Sequence, residues 1–261
     1  MLGKRFGAFV GVVTAMLMLL PATVAEAAAP APQPSFPTSA IPTVGVVSVA
    51  GYGPVSTGTV INTPKRNIVL VAAHTIDGFY VHPGASAFSF TPGYSPGTTN
   101  PTPYGVWQVA SYHLMPKRGN ISHNPDYDTA LLVLEKNNQD RNIQDVVGGQ
   151  NYQLNAPISG VISSIGYPIN GPSPLYCQVY ARVHKVNGHK DEFQADCGKS
   201  FGDGVSGAPL MTNYNPLTHQ GTVIANVGGD NEGGDPSGEL TYGVRLDNEF
   251  QAFLVGVVNT A

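Results

Sequence analysis

Gly204-Val205-Ser206-Gly207-Ala208-Pro209 is the stretch on which the reading of this 261-residue chain turns. A serine between small residues, with glycine two positions before it, can present its hydroxyl on a tight turn. The backbone N–H groups of Gly204 and Ser206 can then converge on one point, as an oxyanion hole requires. Taken alone, the same six residues also make an ordinary surface turn, because Gly and Ser are common turn formers.

Two other words alter that balance. His74 closes the apolar run Val69-Leu70-Val71-Ala72-Ala73. A histidine at the end of a buried strand is usually a satisfied structural residue, and it is also where a rigid scaffold places a general base. Asp128 leads directly into Thr129-Ala130-Leu131-Leu132-Val133-Leu134, a position where a carboxylate is partly buried and must find a donor. Asp126, two residues further from that strand, competes for the same role. The chain order His, Asp, Ser is that of chymotrypsin and not the Ser, Asp/Glu, His order of α/β-hydrolases. Residue 208 is Ala where the hydrolase word G-x-S-x-G needs Gly, so that alternative fails twice.

Outward from these words, composition points to an all-β chain. There are 31 Gly and 22 Pro, and 11% of residues are charged against 42% hydrophobic, with a net charge of −4. So many helix breakers exclude a coiled coil or long bundle, and so much apolar content excludes wholesale disorder. The charge offers no clustered basic surface for nucleic acid. Apolar, β-branched runs between turn signals predict strands at 44–49, 58–61, 68–72, 106–112, 129–134, 158–165, 175–184, 208–212, 221–226 and 241–246. Gly/Pro/Ser/Thr-rich loops are expected at 83–105 and 228–240, and the polar stretch 137–151 divides the strands into two groups. One helix is expected, at 247–257, with Asp247 as N-cap and Phe250, Phe253, Leu254 and Val257 at helical spacing.

Residues 1–27 read as a secretory signal peptide. Lys4 and Arg5 form a positive start, Phe6 to Leu20 an apolar run, and Ala25-Glu26-Ala27 a small-x-small cleavage site with cleavage after Ala27. The run is short of the ~20 apolar residues that span a bilayer, so the mature form is expected to be secreted and extracellular, with no membrane contact. Residues 28–42, AAPAPQPSFPTSAIP, read as a linker or short propeptide without a fold of its own. The only two cysteines, Cys177 and Cys197, are expected to form one disulfide in that oxidising compartment. Asn120-Ile121-Ser122 fits a glycosylation sequon, and His82, His113, His123, His184, His189 and His219 show no metal-binding spacing.

With these words in place, the chain resembles the chymotrypsin-like (trypsin-like) serine peptidase family. The match rests on Ser56-Thr57-Gly58-Thr59-Val60-Ile61, Ala72-Ala73-His74, Asp128-Thr129-Ala130-Leu131 and Gly204 to Pro209, with Gly221 to Gly229 and Tyr242-Gly243-Val244. It covers roughly residues 43–257. Ile165-Gly166-Tyr167-Pro168, followed by Cys177, Cys197 and the serine word, looks most like the secreted bacterial branch that includes glutamyl endopeptidases. The resemblance implies a peptidase domain over 43–261: two six-stranded antiparallel β-barrels, about 43–140 and 150–246, with the active site in the cleft between them, and a C-terminal helix. It implies a Ser206 nucleophile, a His74 base, Asp128 as the residue that orients His74, and an oxyanion hole from the Gly204 and Ser206 amides. The expected activity is hydrolysis of protein or peptide substrates by a monomer, with no cofactor and no metal. An esterase with the same triad and a non-catalytic binding module on the same fold are the alternatives.

Two departures stand out. Val205 occupies the place where animal relatives carry an Asp that pairs with a freed N-terminus, so that activation switch is not expected. The usual disulfide beside the histidine is also missing, with Gly58 and Thr75 near the expected cysteines. For the substrate pocket, the resemblance points to Asp203, Asn226, Gly228 and Gly229. Asn226 aligns where glutamyl endopeptidases carry a histidine, and an amide lacks the cationic form of imidazole, which argues against a preference for Glu.

Overall fold

The computed structural model describes residues 35–78, 83–119 and 123–260. The expected signal peptide (1–27), residues 28–34, His82 and the sequon-like stretch 120–122 lie outside them. Within 28–42 the chain already forms structure. Strand β1 (Ser35–Pro37) pairs antiparallel with residues 175–177, and Ile41 is buried. A linker composition does not prevent pairing once a sheet edge offers backbone partners, since Pro is tolerated on edge strands.

The first barrel follows from a simple alternation. Strands β2 (Val44–Val49), β3 (Gly53–Val60), β4 (Ile68–Val71), β5 (Phe88–Pro92), β6 (Trp107–Leu114) and β7 (Ala130–Leu134) close in the order β2-β3-β4-β7-β6-β5. Val69 and Val71 of β4 and Leu132 and Leu134 of β7 point inward, onto Phe88, Phe90 and Trp107. Ile68, Leu70, Leu131 and Val133, the alternate residues of the same strands, belong to a second cluster outside the barrel. A strand buried on both faces reads as an unbroken apolar run, which is how β4 and β7 appear in the sequence. Strand β5 falls inside the region expected to be loop. In Phe-Ser-Phe-Thr-Pro, Phe88 and Phe90 enter the barrel's core cluster, and the pairing with β2 defines the strand.

After the short helix α1 (His74–Asp77), which leaves β4, and α2 (Ile143–Val147), the chain enters a second ring. Strand β8 (Asn151–Tyr152) is a parallel appendage. Strands β9 (Gly160–Gly166), β10 (Leu175–His184), β11 (Glu192–Ala195), β12 (Pro209–Asn215), β13 (Gln220–Val227) and β14 (Thr241–Arg245) run in the order β10-β11-β14-β13-β12-β9, and β9 pairs back onto β10. Strand β11, Glu-Phe-Gln-Ala, carries too little apolar signal to be read from sequence; its neighbours β10 and β14 supply the pairing. Cys177 and Cys197 are joined in a disulfide across 20 residues, a closure worth on the order of 3 kcal/mol by loop entropy.

Helix α3 (Asn248–Thr260) runs three residues past the expected end. Asp247 caps it, its Oδ1 accepting the N–H groups of Glu249 at 2.9 Å and Phe250 at 3.0 Å. Phe250, Phe253, Leu254 and Val257 bury themselves against Leu70 and Leu131 of the first barrel and Met211 and Val223 of the second. A second contact between the barrels joins Ile41, Val44 and Val46 to Ile165 and Tyr167. The cavity described next lies between the barrels.

Candidate active site

The buried run Ile68 to Ala73 carries the chain out of β4 and delivers His74 as the first residue of α1. A 3₁₀ turn, Pro125–Tyr127, delivers Asp128 two residues before β7, with Asn124 Oδ1 accepting the Asp126 N–H at the start of that turn. These two deliveries meet. His74 Nδ1 lies 2.7 Å from Asp128 Oδ2, and the His74 backbone N–H donates to Asp128 Oδ1 at 2.8 Å. The Gly229 N–H donates to Asp128 Oδ2 at 2.8 Å. Asp126 goes elsewhere: its carboxylate accepts the Lys190 N–H at 2.8 Å. Of the two candidates, Asp128 is the histidine's partner.

The electrostatics follow from this geometry. Burial opposes ionisation of Asp128, but the adjacent His74 and Arg118 and the Gly229 N–H overcome it and bring its pKa down to about 2. Burial also opposes a charged His74. The attraction of Asp128, its hydrogen bond and the more distant Glu232 outweigh that and the repulsion of Arg118, so the imidazole pKa rises above its usual 6.5. With Asp128 ionised, Nδ1 is the donor and Nε2 is left as the ring's acceptor.

Ser206 lines the same cavity as His74, a space of roughly 440 Å³. Glycines on either side shape its turn. Gly204 has φ +94°, and a Cβ there would sit 2.6 Å from Ile169 N and 2.7 Å from Tyr167 O. At Gly207, φ +82°, a Cβ would sit 2.3 Å from Thr57 O. Neither position accepts a side chain. The turn is fastened to the first barrel by Thr57, whose N–H donates to Ser206 O at 2.9 Å and whose Oγ1 donates to Gly204 O at 2.9 Å while accepting the Tyr167 N–H at 2.9 Å. The Asp203 carbonyl accepts the Ile169 N–H at 2.8 Å and the Val205 carbonyl accepts the Ala208 N–H at 2.8 Å. In a trans peptide the C=O and N–H point opposite ways. The Gly204 and Ser206 N–H groups are therefore turned away from those partners. Val205 packs into the second barrel's core.

The pocket residues expected from sequence divide. Asp203 lines the cavity and is exposed. Asn226 does not line it: its side chain is fully buried, accepting from Thr129 Oγ1 at 2.7 Å and donating to Asp128 O at 3.0 Å. Val227 lines it instead. The expectation was one residue out of step, and along a strand a one-residue slip moves a side chain to the opposite face. Gly228 and Gly229 also stand outside the lining, behind Asp128. A Cβ on Gly229 would come within 2.3 Å of Glu192 Oε1. Glu192 itself is buried, which, with repulsion from Asp230, Asp126 and Asp128, outweighs its bond to the Asp230 N–H and pushes its pKa up to about 8.

Sequence reading missed Thr57 as a fastener, Gly229 as a backbone donor, Val227 in the wall and Arg118 beside Asp128. None of these was legible locally: burial is unbroken from Val223 to Val227, so no alternation marks the face of Val227, and the others depend on contacts distant in sequence. Among the described residues, no group of three or more His, Cys, Asp or Glu side chains is arranged to hold a metal ion.

Solved structures share this fold. The protease Anisep from Arthrobacter nicotinovorans is 24% identical with a TM-score of 0.68, over 84% of this chain and 96% of that one. This is the chymotrypsin-like fold. A thermostable serine protease, AL20, from an extremophilic microorganism matches at 20% identity and TM-score 0.68, over 84% of this chain and 98% of its own. A Glu endopeptidase solved with MPD matches at 15% identity and TM-score 0.66, over 88% and 98%. No protein-family model and no curated protein matches the sequence.

Proposed function

We propose that the protein is a secreted serine endopeptidase working through His74, Asp128 and Ser206. The observation that carries this reading is the buried Asp128–His74 pair together with a serine on a glycine-built turn, His74 and Ser206 lining one cavity. Ser206 Oγ attacks the scissile carbonyl; His74 Nε2 takes its proton and returns it to the leaving amine. Asp128 holds the tautomer and stabilises the imidazolium. The Gly204 and Ser206 N–H groups receive the oxyanion, each such donor being worth roughly 3 kcal/mol. Water then hydrolyses the acyl-enzyme by the same steps in reverse. The chemistry needs no cofactor. The apolar start of the chain and the Cys177–Cys197 disulfide support export. We read the chain as a monomer acting on proteins or peptides.

The base must be neutral, so activity falls as pH drops through the raised pKa of His74. The mature protein should be labelled stoichiometrically at Ser206 by an organophosphonate and should cleave casein. Folded protein that does neither sinks the proposal and leaves a binding module. Labelled protein that turns over matched esters but not amides is an esterase instead.

The cavity wall also bears on substrate choice. Val227 and Phe201 make it apolar, while Asp203, Glu232 and Asp235 add carboxylates, and among the described residues no Lys or Arg lines it. An acidic side chain meets like charge there. A peptide library should show Asp and Glu as the poorest residues at the cleavage site, and a preference for Glu would refute this reading of the wall.

A further inference from the structure

Arg118 is an unusual residue to find beside this site. Its side chain is 4% exposed. Nε donates to Asp77 Oδ2 at 3.0 Å, and Nη1 donates to the carbonyls of His123 at 3.1 Å and Asn124 at 3.2 Å. The same Nη1 stands 3.6 Å from Asp128 Oδ1. These partners come from two separate segments. Asp77 lies on α1, the helix that begins with His74; residues 123–124 lead into the 3₁₀ turn that ends at Asp128. One guanidinium thus holds both the base's helix and the carboxylate's turn. A planar fork of donors suits this task, and a lysine ammonium offers its charge without that fork. Asp77 Oδ1 is buried and, among the described residues, has no hydrogen-bond partner. Asp77 is thus committed to Arg118 through its other oxygen alone.

From this geometry we infer that Arg118 is a positioning residue for the His74–Asp128 pair, holding the two at bonding distance and setting the charge that His74 feels. The inference rests on the triad reading above. The charged groups around the pair are few. His74 faces Asp128 from the turn before β7, Glu232 from the loop after β13 and Arg118 from the loop after β6, with Asp77 on its own helix. Asp128 also faces Glu192 from β11. Asp128 and Glu232 favour protonated His74 and Arg118 opposes it; Asp77, bonded to Arg118, offsets part of that opposition.

Two substitutions therefore move His74 in opposite directions. Arg118→Met removes the opposing cation and leaves Asp77 unneutralised, so the acid limb of the kcat/KM profile shifts upward by roughly one pH unit. Asp77→Asn keeps an acceptor for Nε but removes an anion, so the limb shifts downward. Arg118→Lys restores the charge without the fork. It should return the limb toward wild type while kcat stays depressed, by about tenfold, with KM little changed. The same order of shifts should appear in an NMR titration of the His74 ring, a measurement that needs no turnover and stands even if the protein hydrolyses nothing. Should Arg118→Met fail to fold, Asp77→Asn and Arg118→Lys carry the comparison. Superimposable titrations of wild type and Asp77→Asn, or shifts of the same sign for Asp77→Asn and Arg118→Met, overturn the inference.

Discussion

On the first barrel's side of the cavity, side chains fix the chemistry: Asp128 grips His74 at Nδ1 and at the backbone, and Arg118 spans both segments. On the second barrel's side, backbone fixes it. Ser206 sits on a turn held by carbonyl and amide bonds, with two glycines at positive φ. The difference follows from what each half must do. In the proposed mechanism the first half stabilises a charge that appears on an imidazole, and a buried carboxylate does that best. The second half would receive an oxyanion, and fixed N–H dipoles do that without a counter-charge that needs desolvation. The first half is accordingly sensitive to charge substitutions and the second to added atoms.

The strongest way to break the contrast is Asp128→Asn, which keeps shape and deletes charge. A loss of about 10⁴ in kcat is expected, with the fold retained, measured by steady-state kinetics on a casein-derived peptide. Gly204→Ala is the matching blow to the other half. The added methyl meets backbone atoms at 2.6 and 2.7 Å and disturbs the turned N–H. Here kcat should fall about 10²- to 10³-fold, and KM should move far less. A third measurement isolates charge from catalysis. Asp128 has its folded pKa depressed from 3.8 to about 2. Its stabilisation is therefore present above pH ~4 and lost as pH falls towards 2, a contribution of about 2 kcal/mol. Urea unfolding at a series of acid pH values should show this slope in wild type and a shallower one in Asp128→Asn. The smallest effect is expected from Thr57→Val, which removes the Oγ1 bridge between Gly204 O and the Tyr167 N–H. About 1–2 kcal/mol of stability should be lost, with a modest fall in kcat, and an unchanged midpoint would show that backbone alone holds the turn.

The same contrast explains what could be read from the sequence. His74, Asp128 and Ser206 each sit in a local word, and their order gave the fold before any distance was known. The α3 stripe of Phe250, Phe253, Leu254 and Val257 was legible for the same local reason. Register was not. Asn226 and Val227 are adjacent, and only the pairing of β13 with β12 and β14 shows which one faces the cavity. Arg118 carried no signal, because its acidic partners lie 41 residues before it and 10 after it. Strands β5 and β11 were invisible because their neighbours, rather than their own composition, make them strands. Ser35–Pro37 looked like linker because Pro-rich composition hides an edge pairing.

Helix α3 has a further consequence for the order of events when the chain is made. It follows everything it packs on, so Leu70 and Leu131 on one barrel and Met211 and Val223 on the other lack their cover until residues 248–260 have been synthesised. Completion of the interface between the barrels is thus deferred until residues 248–260 have left the ribosome.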